Sequence, residues 1–466
     1  MIKKYLFFIL VILTVITVLT ASSRAANINV IPPSVSQGGI TVATYIIAAN
    51  DSPHANEADY TVPAAATAQS TINQAINALP ATGGRILLLE GTYEVTGTIY
   101  VDSAVGGKSN VTIMGLGNGT KIKVKDSTNS AFPIFGVSGA GNIAGLIISE
   151  LYIDANKTNN PSGDNLALSI SGIATDGLVL SNVILIDGAG VSVDSGSNVQ
   201  IFNNFFAWGT SGSTANLSLT NTDKAILTKN YLRGTVTLSG NNIIMTSNRV
   251  QETASLTAFS LQGSYCSVSG NTFNTNNGNF SVSSLSYSVI SDNIFSSTAG
   301  SLFTVDVTSS DSSLLSNTFT LVSVTSNASR MVLSKNILKN STSNGITVTG
   351  SNSNISGNAV YAASRHGYYV SGNNNTLSSN TVASASMSAN NTYDGIFLAA
   401  GASYNTLQYN RIRYNSVAPQ NRYGIRVDDV TCSGNMITNN DLRTSGISGG
   451  FSDLGIGTIT SANNRL

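Results

Sequence analysis

Charge is scarce in this chain. Its 23 Lys and Arg and 23 Asp and Glu make up 10% of 466 residues and sum to zero, where an average domain carries roughly 25% charged residues. Without a basic excess there is no electrostatic footprint for nucleic acid. Histidine is scarcer still, with only His54 and His366, so no cluster has metal-ligand spacing and no cofactor is expected; no motif supports Ca²⁺. Two cysteines, Cys266 and Cys432, exclude a disulfide framework, and both are expected to be free and at least partly buried. From the middle of the chain onward, apolar residues at helical spacing are missing too.

What replaces them is a phrase that returns: an Asn, any residue, then an apolar one. It occurs at Asn248, Asn271, Asn293, Asn317, Asn336, Asn358, Asn380, Asn410 and Asn440, at intervals of roughly two dozen residues, the range in which self-similarity marks a solenoid. Between the Asn residues lie short runs rich in Val, Ile, Leu, Thr and Phe, broken by Gly, Asn and Ser. A period made only of strands and turns is one coil of a parallel β-helix. Coils must stack at about 4.8 Å to bury their apolar residues, which lines up equivalent positions in columns. The recurring Asn is then a column of amides at a bend, a structural feature. A hydrophobic content of 41%, regularly placed, excludes disorder.

The expected organisation is a leader over 1–25, a leading segment over 26–62, a β-helix over 63–443 and a tail or cap over 444–466. Lys3 and Lys4 precede an uncharged run from Tyr5 to Ala21, and Ser23-Arg24-Ala25 offers a small-x-small cleavage site, the pattern of an export signal. Secretion to the cell exterior follows, with membrane attachment only if the segment stays uncleaved. Ile72, Ala75, Ile76 and Leu79 share one helical face before Pro80, which places a short capping helix over the open end of the stack.

The helix, then "ALPATGGRILLLEGTYEVTGTIYV" and "NVTIMGLGNGTKIKV", resemble the start of the pectate-lyase-like superfamily of right-handed parallel β-helix proteins. With the Asn-bearing coils the resemblance covers about residues 40 to 455. It implies an all-β right-handed solenoid, a fold shared by polysaccharide-active enzymes, phage tail spikes and secreted proteins without assigned chemistry. The acidic residues that members of this type carry before the helix are replaced here by Pro63-Ala64-Ala65-Ala66-Thr67. His366-Gly367 and Arg411-Ile412-Arg413 precede Asp428-Asp429, the wrong order for the polygalacturonase-type hydrolases, and the Asp-Pro-His-Glu signature of alginate epimerases is absent.

Candidate site residues come from a change of composition. Between Tyr361 and Arg443 lie eight of 17 Tyr and six of twelve Arg, whereas the last Glu is Glu252 and the last Lys is Lys339. The phrases starting at Asn344, His366, Asp394 and Tyr423 all read X-Gly-apolar-x-apolar. With the apolar residues inward by the period of 2, Thr347, Tyr369, Phe397 and Arg426 form an outward column. Ser371, Ala399 and Asp428 form a second one, and His366, Asp394 and Tyr423 stack before the glycines.

Aromatic faces and a guanidinium suit sugar rings and a uronate carboxylate, so Tyr369, Phe397 and Arg426 are the candidate substrate-binding residues and extracellular polysaccharide the expected partner. An eliminase would use Arg426 or Arg413 as cation, His366 as base and Tyr423 as acid; a hydrolase would pair Asp394 with Asp428. The bland reading is that His366-Gly367 and Asp394-Gly395 are turn pairs and that Asp428 pairs with Arg426. Asp154, Asp176 and Asp187 read as bend-stabilising. Three functions remain open: a polysaccharide-binding protein with or without cleavage, a non-catalytic adhesive solenoid whose sequons at Asn110 and Asn216 could carry glycans, and a tail spike, which the leader disfavours.

Overall fold

The computed structural model describes residues 44–466, other than 65, 103–107, 140, 164, 173, 189, 208–215, 253–256, 415–417 and 462. The leader and the first part of the 26–62 segment lie outside the described residues. Almost every strand pairs in parallel with the strand one coil away. Most strands fall into three columns, beside a short separate ladder of Ile143–Ala144, Thr175–Asp176 and Gly196–Ser197. In the C-terminal half, for example, Thr376–Ser378 lies in the first column, Thr381–Ala383 in the second and Ile396–Leu398 in the third. Each pairs in register with Thr406–Gln408, Arg411–Arg413 and Tyr423–Val427 of the next coil.

The Asn phrase is the bend between the first and second columns. The Oδ1 of each Asn accepts the backbone N–H and the side-chain amide N–H of the Asn one coil earlier, from Asn204 through Asn230, Asn248, Asn271, Asn293, Asn317, Asn336, Asn358, Asn380, Asn410 and Asn440 to Asn464. The amide also donates to a main-chain carbonyl, as Asn293 does to Val268 at 2.9 Å. The residue before each asparagine from Asn204 to Asn440 turns left-handed, for instance Ser316 at φ 54° and Lys335 at φ 58°, and this points the amide inward. Asn204, Asn230 and Asn464 extend the ladder beyond the nine positions named above, and each is likewise followed by one residue and then an apolar one, Phe206, Leu232 and Leu466.

Inside, Phe273, Phe295 and Phe319 stack at 4.8 and 5.1 Å with near-parallel rings. Phe259, Phe280 and Phe303, from the facing column, meet them tilted or edge-on. Cys266 and Cys432 are both buried and free.

The capping helix, α1, spans Ala68–Ala78 and buries Ile72, Ala75 and Ile76, with Leu79 just beyond it. Its polar face substitutes for a missing coil. Asn73 accepts from Tyr100 N and donates to Thr98 O, while Gln69 accepts from Thr96 N, so backbone groups at the open edge are satisfied. Lys108 reaches the last carbonyls of α1, those of Ile76, Asn77 and Leu79, where a cation suits the helix end.

The stack extends beyond the 63–443 bounds in both directions. Thr44–Ala48, ahead of the capping helix, pairs with both Tyr60–Thr61 and Gly84–Leu88. Gly449–Asp453 and Ile459–Thr460 continue the third and first columns. Asp154, Asp176 and Asp187 do hold bends: Asp154 accepts Asn156 N, Asp176 the Ser197 hydroxyl, and Asp187 Thr158 N.

Asn317→Ala should lower the free energy of unfolding by about 2–4 kcal/mol, because it leaves two buried donors on Asn293 and the Ile290 carbonyl unpaired. Ser316→Gly, one residue away in the left-handed position, should be close to neutral. Urea denaturation of the two variants checks both expectations.

Candidate functional site

The outward column exists as expected. Thr347, Tyr369, Phe397 and Arg426 pair in register across successive coils. The glycines of the X-Gly phrase are not turn glycines. A Cβ at Gly367 would lie 2.5 Å from Gly395 O, and one at Gly395 would lie 2.6 Å from Gly424 O. Only a residue without a side chain lets neighbouring coils approach at this point, and this fixes the position of the residue before it.

Those preceding residues form a second ladder. Asn344 Oδ1 accepts from His366 N at 3.2 Å, His366 Nδ1 accepts from Asp394 N at 3.0 Å, and Asp394 Oδ1 accepts from Tyr423 N at 3.1 Å. His366 and Asp394 thus do what Asn344 does one coil earlier. The hydrogen bond from Asp394 N leaves the imidazole proton on Nε2. Burial and the charges of Arg422, Arg365 and Arg426 push the His366 pKa down to about 3. The 3.6 Å approach of Nδ1 to Asp394 Oδ2 is therefore a contact of a neutral ring, not an ion pair.

A neutral imidazole whose free lone pair is already taken is not available as a base, which corrects that expectation for His366. Asp394 is fully buried and gripped by Arg422 through Nε at 3.0 Å and Nη2 at 2.7 Å. Burial pushes its carboxyl above the ordinary value, with Arg422 opposing. Asp428 pairs with Arg426 at 2.7 Å. With each carboxylate facing a guanidinium, Asp394 and Asp428 do not make the free pair that a hydrolase needs.

Tyr369 stacks on Phe397 at 5.5 Å and His366 stacks on the same ring at 4.4 Å, both within 30° of parallel. These rings cover one another's faces, so solvent meets mainly their edges and the outer face of Tyr369. Tyr393 closes the stack edge-on to His366 at 5.2 Å. Tyr423 lies under two guanidiniums, Arg422 at 5.7 Å and Arg426 at 5.8 Å. Arg426 Nε is buried and has no acceptor among the described residues. Ala399 is nearly buried, so the second outward column is interrupted.

Arg413 does not join this group. It lies on the second column, whose outward face differs from that of the third, and binds Asp441. Arg422 and Tyr393 were missed by sequence reasoning. Tyr393 lies between Asn380 and Asn410 and Arg422 between Asn410 and Asn440, where the coil lengthens from 22 residues to 30, and loops of this kind carry no periodic signal.

Because the His366 pKa falls from 6.5 in the unfolded chain to about 3 in the folded one, the unfolded state binds the extra proton between these values. Stability is full above pH 6.5 and declines as pH falls toward 3, by about 1.4 kcal/mol per pH unit. Denaturation midpoints from pH 7 to 4.5 should drop more steeply for the parent protein than for His366→Gln. Arg422→Leu should cost about 3 kcal/mol, since it strands a buried carboxylate, and Arg422→Leu combined with Asp394→Leu should recover much of that loss.

No curated protein matches the chain. Residues 320–466 match the family described as "Right handed beta helix region". Solved structures similar to the chain include the A-module of a mannuronan C-5 epimerase from Azotobacter vinelandii, with 14% identity over 84% of this chain and 94% of that one and a TM-score of 0.31. DFA-IIIase from Arthrobacter chlorophenolicus is 14% identical over 73% and 95%, with a TM-score of 0.43. The tailspike protein of E. coli bacteriophage HK620, in complex with a pentasaccharide, is 12% identical over 84% and 75%, with a TM-score of 0.44. At these values the likeness carries no statement about chemistry. Columns of parallel strands wound coil upon coil, with the family match over residues 320–466, give this chain the right-handed parallel β-helix fold.

Proposed function

We propose that this is a secreted protein that binds extracellular polysaccharide on the outward face of the third column, between Thr347 and Arg426, without cleaving it. The observation that carries the reading is the Tyr369–Phe397 step ending at Arg426. The edges and outer ring face present C–H-compatible surface to a sugar chain running along the stack. Arg365, Arg422 and Arg426 around His366 outnumber Asp394 and Asp428, which favours an acidic glycan. Binding is preferred to turnover because the imidazole lone pair and both carboxylates are already engaged. Secretion rests on the sequence of the leader, and the polysaccharide-directed neighbours agree with this reading without carrying it.

Affinity electrophoresis in polygalacturonate and in a neutral β-glucan tests the proposal. Retention in polygalacturonate should exceed that in the glucan, and Tyr369→Ala with Phe397→Ala should weaken it roughly tenfold, the range of one lost aromatic contact. No unsaturated product should accumulate by ultraviolet absorbance, and no new reducing ends should appear. Product formation would restore the cleaving alternative, and unchanged retention in the double variant would remove the face from consideration.

A further inference from the structure

Charge also gathers at the last coils of the second column. Arg411, Asp441 and Arg465 occupy one outward position in successive coils, bridged in parallel. Asp441 is already occupied. It accepts from Arg443 through Nε at 3.0 Å and Nη2 at 2.9 Å and also binds Arg413. The Arg443 and Arg413 guanidiniums hold its carboxyl well below the usual carboxylate range. Arg411 and Arg465 have no side-chain partner among the described residues. Two guanidiniums therefore neutralise one carboxylate, and two more, on the coils before and after it, are left without one.

Beside them is a depression of about 600 Å³ lined by Tyr409, Asn439, Asn440, Asp441, Asn463 and Arg465. Tyr409 forms a wall at the corner position where earlier coils place Lys335, Gly357 and Ser379, with φ 56°. Its side chain is 61% exposed. Tyr265, Tyr287 and Tyr404 share this left-handed, exposed setting; Tyr409 differs from them in lining the depression.

We propose that this depression is a second sugar-binding subsite, separate from the third-column face, which takes one pyranose bearing a carboxylate or sulfate. The ring's C–H face lies on Tyr409, the oxyanion meets the planar fork of Arg465, and the amides of Asn439 and Asn463 serve the hydroxyls. A free inorganic anion would not need the aromatic wall, and a neutral sugar would not need an unneutralised guanidinium.

The test uses the full chain carrying Tyr369→Ala and Phe397→Ala, so that the third-column face is silenced, titrated calorimetrically with trigalacturonate, a sulfated galactose disaccharide, cellotriose and sodium sulfate. At least one of the two charged sugars should bind, and cellotriose should bind at least tenfold more weakly. Arg465→Gln and Tyr409→Ala should each weaken the charged sugar by about tenfold or more, with unchanged circular dichroism and urea midpoints. Equal binding by Arg465→Gln and its parent, or no binding of either charged sugar, overturns the proposal. So does sulfate binding as tightly as the sugars with no loss in Tyr409→Ala. If the third-column reading fails instead, polygalacturonate retention of the Arg465→Gln variant, in which this subsite is silenced, is the same with and without Tyr369→Ala and Phe397→Ala.

Discussion

The asparagine ladder is the constraint on which the stacking of the coils from Asn204 onward depends. A buried amide has to be hydrogen-bonded on both sides, and here each Oδ1 takes two donors from the coil behind while its own amide nitrogen reaches a main-chain carbonyl. A coil that slipped by one residue would bury an amide without partners and turn its apolar side chains outward. Registry is therefore enforced once per turn. The columns of Phe, Gly and Arg that define the core and the surface sites inherit their alignment from it.

The same device, in altered form, produced the candidate site. The position filled by Asn344 passes to His366, then to Asp394, each still accepting the next backbone N–H. Replacing an amide by an imidazole and then by a carboxylate keeps the hydrogen bond but adds burial cost, which Arg422 offsets for Asp394. The perturbed ionisation of His366 and Asp394 is thus a by-product of ladder duty, and perturbed groups in a fold of this kind are weak indicators of catalysis. The exposed guanidiniums and rings beside them carry the functional information.

Much of this was legible in the sequence. The Asn phrase and the X-Gly phrase predicted the registers of Thr347, Tyr369, Phe397 and Arg426 because strand alternation is strict and coil stacking is local. The face of α1 was readable from Ile72, Ala75, Ile76 and Leu79 for the same reason. What escaped was irregular. Thr44–Ala48 lacks the Asn phrase, Tyr393 and Arg422 lie in the lengthened coils, and the glycines of His366-Gly367 and Asp394-Gly395 serve contacts between coils far apart in sequence. Arg413 was misplaced because a shared composition shift spans two columns that face different directions.

The ladder's sense of direction has a further consequence. Each asparagine takes two donors from the rung behind and gives two to the rung ahead, so the rule is indifferent to how many residues separate two rungs, and intervals of 18 and 30 both satisfy it. Variation can accumulate in the outer arcs while the spine stays unchanged. New side chains can then be displayed at a chosen height along the rod by lengthening a single arc, with no adjustment required of the turns above or below.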